Sequence, residues 1–235
     1  MGSAQNPALA AQLLQIYELL FAHFGPRHWW PAETPFEVVV GAYLTQNVSW
    51  RNVEQAIAAM KERGWLEPAP LARALVAQPD EVAAVLRPTR YFHEKRDRLA
   101  AFVRFLYQEY HGKLEQMFAE PLATLRPKLL ALPGVGPETA DAILCYAGGY
   151  PVMTVDAYTR RVFARLGLAG EKEGYAALQL LFHENLPAEP ALFNEYHALI
   201  DGLAHYFCQP RPRCLECPLQ SVCERQGVAR ESGPT

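Results

Sequence analysis

Residues 132–137 read Leu-Pro-Gly-Val-Gly-Pro, a short hairpin by composition, and a helical pattern follows over residues 138–147. The two glycines let the main chain turn tightly and approach another molecule closely. Pro137 suits the first position of the following helix. The hairpin amides and the helix N-terminus form a natural cradle for a phosphate oxygen, although an ordinary turn between helices has the same composition. The candidate phosphate contacts are Gly134, Val135 and Gly136.

Helical periodicity continues through most of the chain, and no segment has the alternating pattern that is typical of a strand. Ser49 and Asp156 each precede a helical pattern and suit the N-cap position. We therefore predict an all-α fold. The longest predicted helices cover residues 8–24, 36–47, 92–111 and 190–207.

The bulk composition excludes some classes of protein. Half of the 235 residues are hydrophobic, which is enough for one or two packed domains, and the formal net charge is -3. A protein that coats nucleic acid without specificity is usually basic, so any contact with nucleic acid must come from local charge. No apolar run is long enough for a membrane span. We expect a cytoplasmic protein with no membrane partner.

Four of the five cysteines lie within one short segment with the spacing Cys208-x5-Cys214-x2-Cys217-x5-Cys223. In an intracellular chain such a group indicates a metal site rather than disulfides. Structural zinc sites more often separate two C-x2-C pairs by a longer stretch, whereas this compact loop favours a [4Fe–4S] cluster. We predict the cluster, with zinc as the alternative. Arg211 and Arg213 lie between the first two cysteines, where a rigid loop would present them to phosphates.

Asp156 follows the hairpin by about twenty residues and precedes a predicted helix, so a plain N-cap is the structural alternative to a catalytic role. The amides and dipole of that helix would keep its carboxylate ionised. A carboxylate beside a sugar C1′ can stabilise a cationic transition state and orient water. Further candidates for phosphate contacts on the same helix are Arg160, Arg161 and Arg165.

Together, the hairpin, Asp156 and the four cysteines resemble the endonuclease III group of helix-hairpin-helix DNA glycosylases, over residues 28–223. The resemblance implies a two-lobed all-α fold that binds double-stranded damaged DNA in a cleft between the lobes. A six-helix lobe would span residues 34–150, and a lobe with the iron–sulfur loop would combine residues 1–33 and 151–235. It also implies that the target base is flipped out and that Gln46 enters the gap. Weaker candidates near the orphaned base are Tyr91 and Phe92.

One departure from the endonuclease III pattern decides the predicted reaction. Members that also cleave the strand have a lysine in the helix after the hairpin, at the position where this chain has Glu138. That lysine attacks C1′ and forms a Schiff base, which a carboxylate cannot do. We therefore predict a monofunctional glycosylase, with weak or absent lyase activity, in which Asp156 activates water.

Three blocks more closely resemble the 3-methyladenine DNA glycosylase III type, namely HWWP (28–31), LTQNVSW (44–50) and ETADAILCY (138–146). In that type, aromatic residues surround the extruded base and a glutamate lies in the same pocket. The resemblance assigns these roles to Trp29, Trp30, Trp50 and Glu138. An alkylated purine is positively charged, so it leaves easily and gains about 0.5–2 kcal/mol per aromatic contact. We predict hydrolysis of the N-glycosidic bond of alkylated purines such as 3-methyladenine.

Two alternative functions stay open. A member of the 3-methyladenine type is known without the cysteine loop, so this chain combines features of two subfamilies. An endonuclease III-like glycosylase for oxidised pyrimidines or mismatches, with or without lyase activity, is the first alternative. A damage-binding iron–sulfur protein without catalysis is the second. For the tryptophans the structural alternative is core packing, and for Glu138 an exposed first-turn position. We expect a monomer associated with the nucleoid.

Overall fold

A computed structural model describes residues 6–228, which contain twelve α-helices and no strand, so the predicted all-α class is confirmed. In chain order the helices are α1 (Pro7–Phe24), α2 (Pro35–Leu44), α3 (Trp50–Glu62), α4 (Pro68–Ala77), α5 (Pro79–Leu86), α6 (Phe92–Tyr110), α7 (Leu114–Met117), α8 (Leu122–Leu130), α9 (Pro137–Ala142), α10 (Ala157–Arg165), α11 (Tyr175–His183) and α12 (Pro190–Tyr206). None of these helices combines the length and the apolar character that crossing a bilayer requires.

The chain divides into two compact units. The central unit is Trp30–Tyr150 and contains α2 to α9. The terminal unit combines Met1–Trp29 with Pro151–Thr235, and its described part contains α1 and α10 to α12. The sequence predicted two functional lobes with boundaries at residues 34 and 150. Whether these compact units act as those lobes stays a prediction.

The core of the central unit is built around α2, in which almost every side chain is buried. The helix begins where the Thr34 hydroxyl accepts a hydrogen bond from the amide of Glu37 at 3.1 Å. The apolar face of α6 lies against it, and the ring centroids of Tyr43 and Phe102 are 5.8 Å apart. Burial of these rings removes a large apolar area from water and stabilises the unit.

Helix α2 ends at Leu44, whereas the sequence predicted a helix through residue 47. The Thr45 hydroxyl donates to the carbonyl of Gly41 at 2.7 Å, and Asn47 adopts a left-handed conformation with a φ of 56°. Asparagine tolerates this conformation better than most residues, so the chain turns there. Gln46 therefore lies in a turn after the helix and not on its surface.

The two helices that flank the hairpin (residues 132–137) are joined by a half-buried ion pair. Nε of Arg126 on α8 is 2.6 Å from Oδ1 of Asp141 on α9, and its Nη2 is 2.9 Å from Oδ2. This bidentate geometry fixes the angle between the helices. The predicted helix over 138–147 is α-helical as far as Ala142 and continues as a π-helical turn, Ile143–Ala147.

The central unit has more than the expected six helices, because two short segments are separate. Gln78 leaves the helical region with a ψ of 56°, and Pro79 then starts α5. Proline has no amide proton and fixes its own φ, so it favours a new start over the continuation of α4. A single turn, α7, adds the second short segment.

The core of the terminal unit is aromatic. The rings of Phe163 on α10 and Phe182 on α11 are 4.8 Å apart, and Tyr196 on α12 lies 5.5 Å from Phe182 in an edge-on arrangement. The hydroxyl of Tyr196 donates to the carbonyl of Leu13 on α1 at 2.8 Å. The N-terminal helix is thus anchored to helices near the other end of the chain.

Candidate functional site

The hairpin has the tight geometry that its glycines predict. Gly134 has a φ of +75°, a conformation that strains other residues, and a Cβ there would lie 2.2 Å from Nε of Arg98. The Val135 amide donates to the carbonyl of Leu132 at 3.2 Å and closes the turn. Gly136 then occupies the N-cap of α9 in an extended conformation. A glycine cap leaves the first-turn amides accessible to an anion.

Gln46 is held against this hairpin by its side-chain amide. Its Nε2 donates to the carbonyl of Gly134 and to Oγ1 of Thr139, both at 2.9 Å. Its Oε1 accepts a hydrogen bond from Nη1 of Arg98 at 2.6 Å. The residue predicted to enter the gap in the duplex therefore lies on the surface predicted to hold phosphates.

A buried lysine holds the main chain around Gln46. Lys95 is 1% exposed, and its Nζ donates to the carbonyls of Leu44 at 2.8 Å, Gln46 at 3.0 Å and Thr89 at 2.6 Å. Burial, with the nearby charge of Arg98, lowers the pKa of Lys95 to about 8. Three carbonyl acceptors match the three protons of an ammonium group, which lets the lysine stay buried.

Three aromatic side chains of the central unit form an aromatic cluster, namely Trp30, Trp50 and Tyr146. The ring of Trp30 is 5.3 Å from that of Trp50 and nearly perpendicular to it, and 5.7 Å from that of Tyr146. Gly41 makes room for Trp30, because a Cβ there would lie 3.0 Å from the indole Nε1. The three rings are half-buried, so the cluster keeps solvent-accessible aromatic surface.

Glu138 and Trp29 are the other two residues predicted for the base pocket. Glu138 is exposed in the first turn of α9, where the helix dipole favours a carboxylate. Trp29 is half-buried and is the last residue of the N-terminal segment of the terminal unit. Their assignment to a base pocket stays a prediction. The exposed Tyr91 adopts a left-handed conformation with a φ of 42° just before α6.

Asp156 is the N-cap of α10, as predicted. Its Oδ1 accepts from the amide of Thr159 at 2.7 Å and from the Thr159 hydroxyl at 2.8 Å. Its Oδ2 lies 3.8 Å from Nε2 of the buried His197 on α12. One oxygen therefore caps the helix, and the other faces His197.

The ionisation of Asp156 is controlled by opposing effects. Burial alone would raise its pKa, but the nearby His197 and the two hydrogen bonds from Thr159 lower the pKa below its ordinary value. The carboxylate is therefore charged at neutral pH in spite of its burial. That is the state required to stabilise a cationic sugar.

The four cysteines line one cavity together with Phe207, Pro212 and Arg165. Among residues 6–228, no group of three or more Cys, His, Asp or Glu side chains is placed to hold a metal ion. Direct ligands of one zinc ion must lie about 2.3 Å from it. Four thiols around one cavity are a donor set that both a [4Fe–4S] cluster and a zinc ion use, so the preference for the cluster stays a prediction.

Arginines of α10 hold the start of the cysteine loop (residues 208–223). Arg161 donates through Nε to the carbonyl of Cys208 at 2.8 Å, and Arg165 donates through Nη1 to the carbonyl of Gln209 at 2.6 Å and to Sγ of Cys208 at 3.3 Å. Arg160 donates to the carbonyl of Glu173 at 2.9 Å. Each of these arginines bonds a main-chain carbonyl within its own unit, and because a guanidinium has further donors, their role as phosphate contacts stays a prediction.

The two arginines within the loop differ from each other. Arg211 is exposed, consistent with the surface position that its role requires. Arg213 is also exposed but forms an ion pair with Glu216, and its guanidinium lies 5.9 Å from the centre of the Phe207 ring. An exposed ion pair is weak, so a phosphate can compete for Arg213.

Comparison with known proteins identifies the family. The model of the HhH-GPD superfamily of base excision DNA repair proteins matches residues 40–188, a range that contains Gln46, the hairpin and Asp156. The chain belongs to the HhH-GPD superfamily. The resemblance noted in the sequence is thereby confirmed at the level of the superfamily.

Individual relatives of this HhH-GPD protein cover most of its length. A protein of Methanocaldococcus jannaschii named "Putative DNA repair glycosylase" is 41% identical over 90% of this chain and 95% of its own length. Endonuclease III of Bacillus subtilis is 26% identical over 84% of each chain. The H. pylori 3-methyladenine DNA glycosylase MagIII, solved with 1,N6-ethenoadenine, is 27% identical, with a TM-score of 0.72 over 84% of this chain and 97% of its own. An endonuclease III–DNA covalent intermediate has a TM-score of 0.78 over 92% of this chain and 96% of its own at 21% identity, which shows a common fold.

Four residues of these sites were not predicted from the sequence of this HhH-GPD protein. Lys95 carried a readable signal, since it shares the apolar face of α6 with Leu99 and Phe102, where a lysine is unusual. For the other three, the pairing partner is distant in sequence and no local pattern indicates it. These residues are Arg98, Tyr146 and His197.

Substitution of His197 by glutamine is expected to raise the pKa of Asp156. Burial raises this pKa, and the substitution removes the imidazole that lowers it. In the native protein this lowered pKa contributes stability that is present above the ordinary pKa of an aspartate and lost as the pH falls through the lower folded value. The acid limb of the pH–rate profile, and the onset of acid unfolding, should both move to higher pH.

Thermal unfolding and single-turnover rates measured across pH 3–7 test this expectation. His205→Gln is the matched control, because His205 is also on α12 but packs against Tyr158. An unchanged acid limb in His197→Gln would show that His197 does not control Asp156.

Proposed function

We propose that this HhH-GPD protein is a monofunctional DNA glycosylase that releases alkylated purines, such as 3-methyladenine, from double-stranded DNA. The observation that carries the proposal is Glu138 in the first turn of α9, directly after the hairpin. A carboxylate at this position cannot attack C1′ and form a Schiff base. The reaction is then hydrolysis and leaves the sugar–phosphate backbone intact.

Three of the four lysines of the central unit have contacts that disfavour a nucleophilic role. Nζ of Lys95 is buried and donates to three carbonyls, so it has no path to a sugar. Nζ of Lys128 lies 2.6 Å from Oε1 of Glu120, and the hydrogen bonds that it donates to Glu120 and Tyr110 raise its pKa, which disfavours a neutral nucleophile. Lys61 forms an ion pair with Glu33.

Asp156 is proposed to stabilise the reaction's cationic transition state. As the bond between C1′ and the base breaks, positive charge develops on the sugar, and a carboxylate beside it lowers the energy of that state. Oδ1 is occupied by Thr159, so Oδ2 is the atom assigned to this role and to orienting water. Water then bonds to C1′ and loses its proton, and the base leaves with the electron pair of the broken bond.

The aromatic cluster supports alkylated purines as the substrate class. Half-buried rings of Trp30, Trp50 and Tyr146 offer faces to a planar cation, each worth about 0.5–2 kcal/mol. Glu54 accepts a hydrogen bond from Nε1 of Trp50 at 2.8 Å and orients that indole. Trp29 and Glu138 are assigned to the same base-binding role. The fold shared with a 3-methyladenine glycosylase is consistent with this substrate class.

DNA contacts are proposed for the hairpin amides of Gly134, Val135 and Gly136 and for Arg211 and Arg213. These groups would contact phosphates, fixing the register of the duplex without reading its sequence. Gln46 would enter the gap left by the flipped base. We further propose that the central and terminal units are the two lobes predicted from the sequence, and that the protein acts as a monomer near the nucleoid.

Cys208, Cys214, Cys217 and Cys223 are the proposed ligands of a [4Fe–4S] cluster. Their placement around one cavity supplies the four thiols that such a cluster needs, and their compact spacing in the sequence favours the cluster over zinc. Such a cluster would act as a rigid anchor for the loop. Arg161 and Arg165 already fix the main chain at its first cysteine.

A second candidate function is an endonuclease III-like glycosylase for oxidised pyrimidines or mismatches. The cysteine loop and the relatives named endonuclease III favour it. The chemistry of Glu138 and the aromatic cluster favours the first candidate.

A panel of lesion duplexes tests the proposal. Duplexes containing 3-methyladenine, thymine glycol or a G·T mismatch are incubated with the protein, and free base and strand breaks are measured together. We expect release of 3-methyladenine without strand breaks, and little release from the other duplexes. Preferential release of the oxidised pyrimidine or the mismatched base would favour the second candidate, and binding without release would indicate a damage-binding protein.

A further inference from the structure

We propose that Arg98 is a positioning residue for Gln46, holding its amide against the hairpin in the orientation from which it enters the duplex. The inference rests on the role proposed above for Gln46 and adds the group that prepares it. It assigns no direct contact between Arg98 and DNA.

The contact between Arg98 and Gln46 is short and charged. Nη1 of Arg98 lies 2.6 Å from Oε1 of Gln46, and hydrogen bonds from a guanidinium are stronger than those between neutral groups. The bond also determines which way the amide faces, because an arginine can only donate. With Oε1 directed to Arg98, Nε2 is directed to the hairpin, where it bonds Gly134 and Thr139.

The side chain of Arg98 has a defined path to this position. Its stem lies so close to Gly134 that a Cβ there would be 2.4 Å from Cδ and 2.2 Å from Nε of Arg98. Two properties of this position therefore favour glycine. One is its positive φ, and the other is the space that the missing Cβ leaves for the Arg98 side chain. The same helix supplies Lys95, three residues earlier, which holds the Gln46 carbonyl at 3.0 Å. Helix α6 thus fixes both the main chain and the side chain of Gln46.

This arrangement prepares Gln46 for insertion. A duplex held by the hairpin amides has Gln46 beside it, because the Gln46 amide already contacts the hairpin. The two bonds from Nε2 go to neutral acceptors and can be exchanged for acceptors on an unpaired base, while the charged bond to Oε1 keeps the amide from turning over. Without Arg98, the Gln46 side chain would be less ordered before the duplex binds. The entropy cost of ordering it would then fall on the insertion step and slow that step.

The test measures insertion without catalysis. The duplex carries a stable abasic-site analogue opposite 2-aminopurine, whose fluorescence reports the stacking around the gap when the protein is mixed in. Wild type is compared with Gln46→Ala, with Arg98→Met and with the double variant. We expect Arg98→Met to slow the fluorescence change about tenfold, Gln46→Ala to abolish it, and the double variant to equal Gln46→Ala.

Controls separate the possible outcomes. Arg104→Met removes an exposed arginine from the same helix and should leave the rate unchanged. Arg98→Lys keeps the charge and the stem over Gly134, so it should slow insertion less, and it replaces the methionine variant if that one does not fold.

Three results would overturn the inference. A normal rate in Arg98→Met contradicts it directly. Equal, salt-dependent losses of DNA binding in the Arg98→Met and double variants would make Arg98 a phosphate contact. A full fluorescence change in Gln46→Ala would remove the proposed role of Gln46 itself, which the lesion panel does not test.

Discussion

Replacement of Asp156 by asparagine is expected to reduce base release by about 10²- to 10³-fold, because the negative charge beside the developing sugar cation is lost. The change also removes the carboxylate charge that faces His197, which costs some stability, but it keeps the helix cap. Asparagine is as good an N-cap as aspartate, so its Oδ1 can still accept from the amide and hydroxyl of Thr159. Helix α10 should keep its start, and the variant should fold and bind the lesion duplex as wild type does.

Single-turnover release of 3-methyladenine, with DNA affinity and thermal unfolding measured in parallel, checks this expectation. Asp201→Asn is the matched control, because Asp201 is a half-buried carboxylate on α12 that does not cap α10. We expect it to retain most of the rate. A fully active Asp156→Asn variant would contradict the catalytic role and leave Asp156 as a helix cap alone.

Replacement of Cys217 by serine is expected to cause a large loss of stability in the terminal unit. Loss of one of four ligands releases the proposed cluster, and the binding energy of a structural metal group is part of the folding energy. We expect loss of iron and of the brown absorption at about 400 nm. The unfolding temperature should fall on the order of 10 °C.

The control for the cysteine loop is Cys145→Ala. Cys145 is buried in the π-helical turn after α9 and lies outside the loop, so its removal should leave the iron content unchanged. Iron analysis and thermal unfolding distinguish the two variants. A colourless wild-type protein with one zinc per chain would contradict the cluster, and an unaffected Cys217→Ser variant would contradict any metal at this loop.

The features that could be predicted from the sequence are those set by neighbours along the chain. The Asp156 cap depends on the amides of the next turn, and the hairpin on two glycines and a proline. The all-α class follows from periodicity that persists through most helices. The cysteine spacing is likewise a local pattern, and it places all four thiols around one cavity.

The features that could not be predicted depend on contacts between distant segments. Helix α2 ends at Leu44. Lys95, about fifty residues later, donates hydrogen bonds to the carbonyls of Leu44 and Gln46 at this end. His197 meets Asp156 only because α10 and α12 pack together. The sequence identified Arg161 and Arg165 only as positive charges on α10. Their hydrogen bonds to the cysteine loop depend on the tertiary fold.

The central claim is that this HhH-GPD protein hydrolyses the glycosidic bond without cleaving the strand. The most direct test is to incubate the protein with a 3-methyladenine duplex in the presence of borohydride and to measure free base, strand breaks and covalent adduct together. We expect free base, an intact strand and no adduct, because Glu138 cannot form a Schiff base. A protein–DNA adduct trapped by borohydride would contradict the claim.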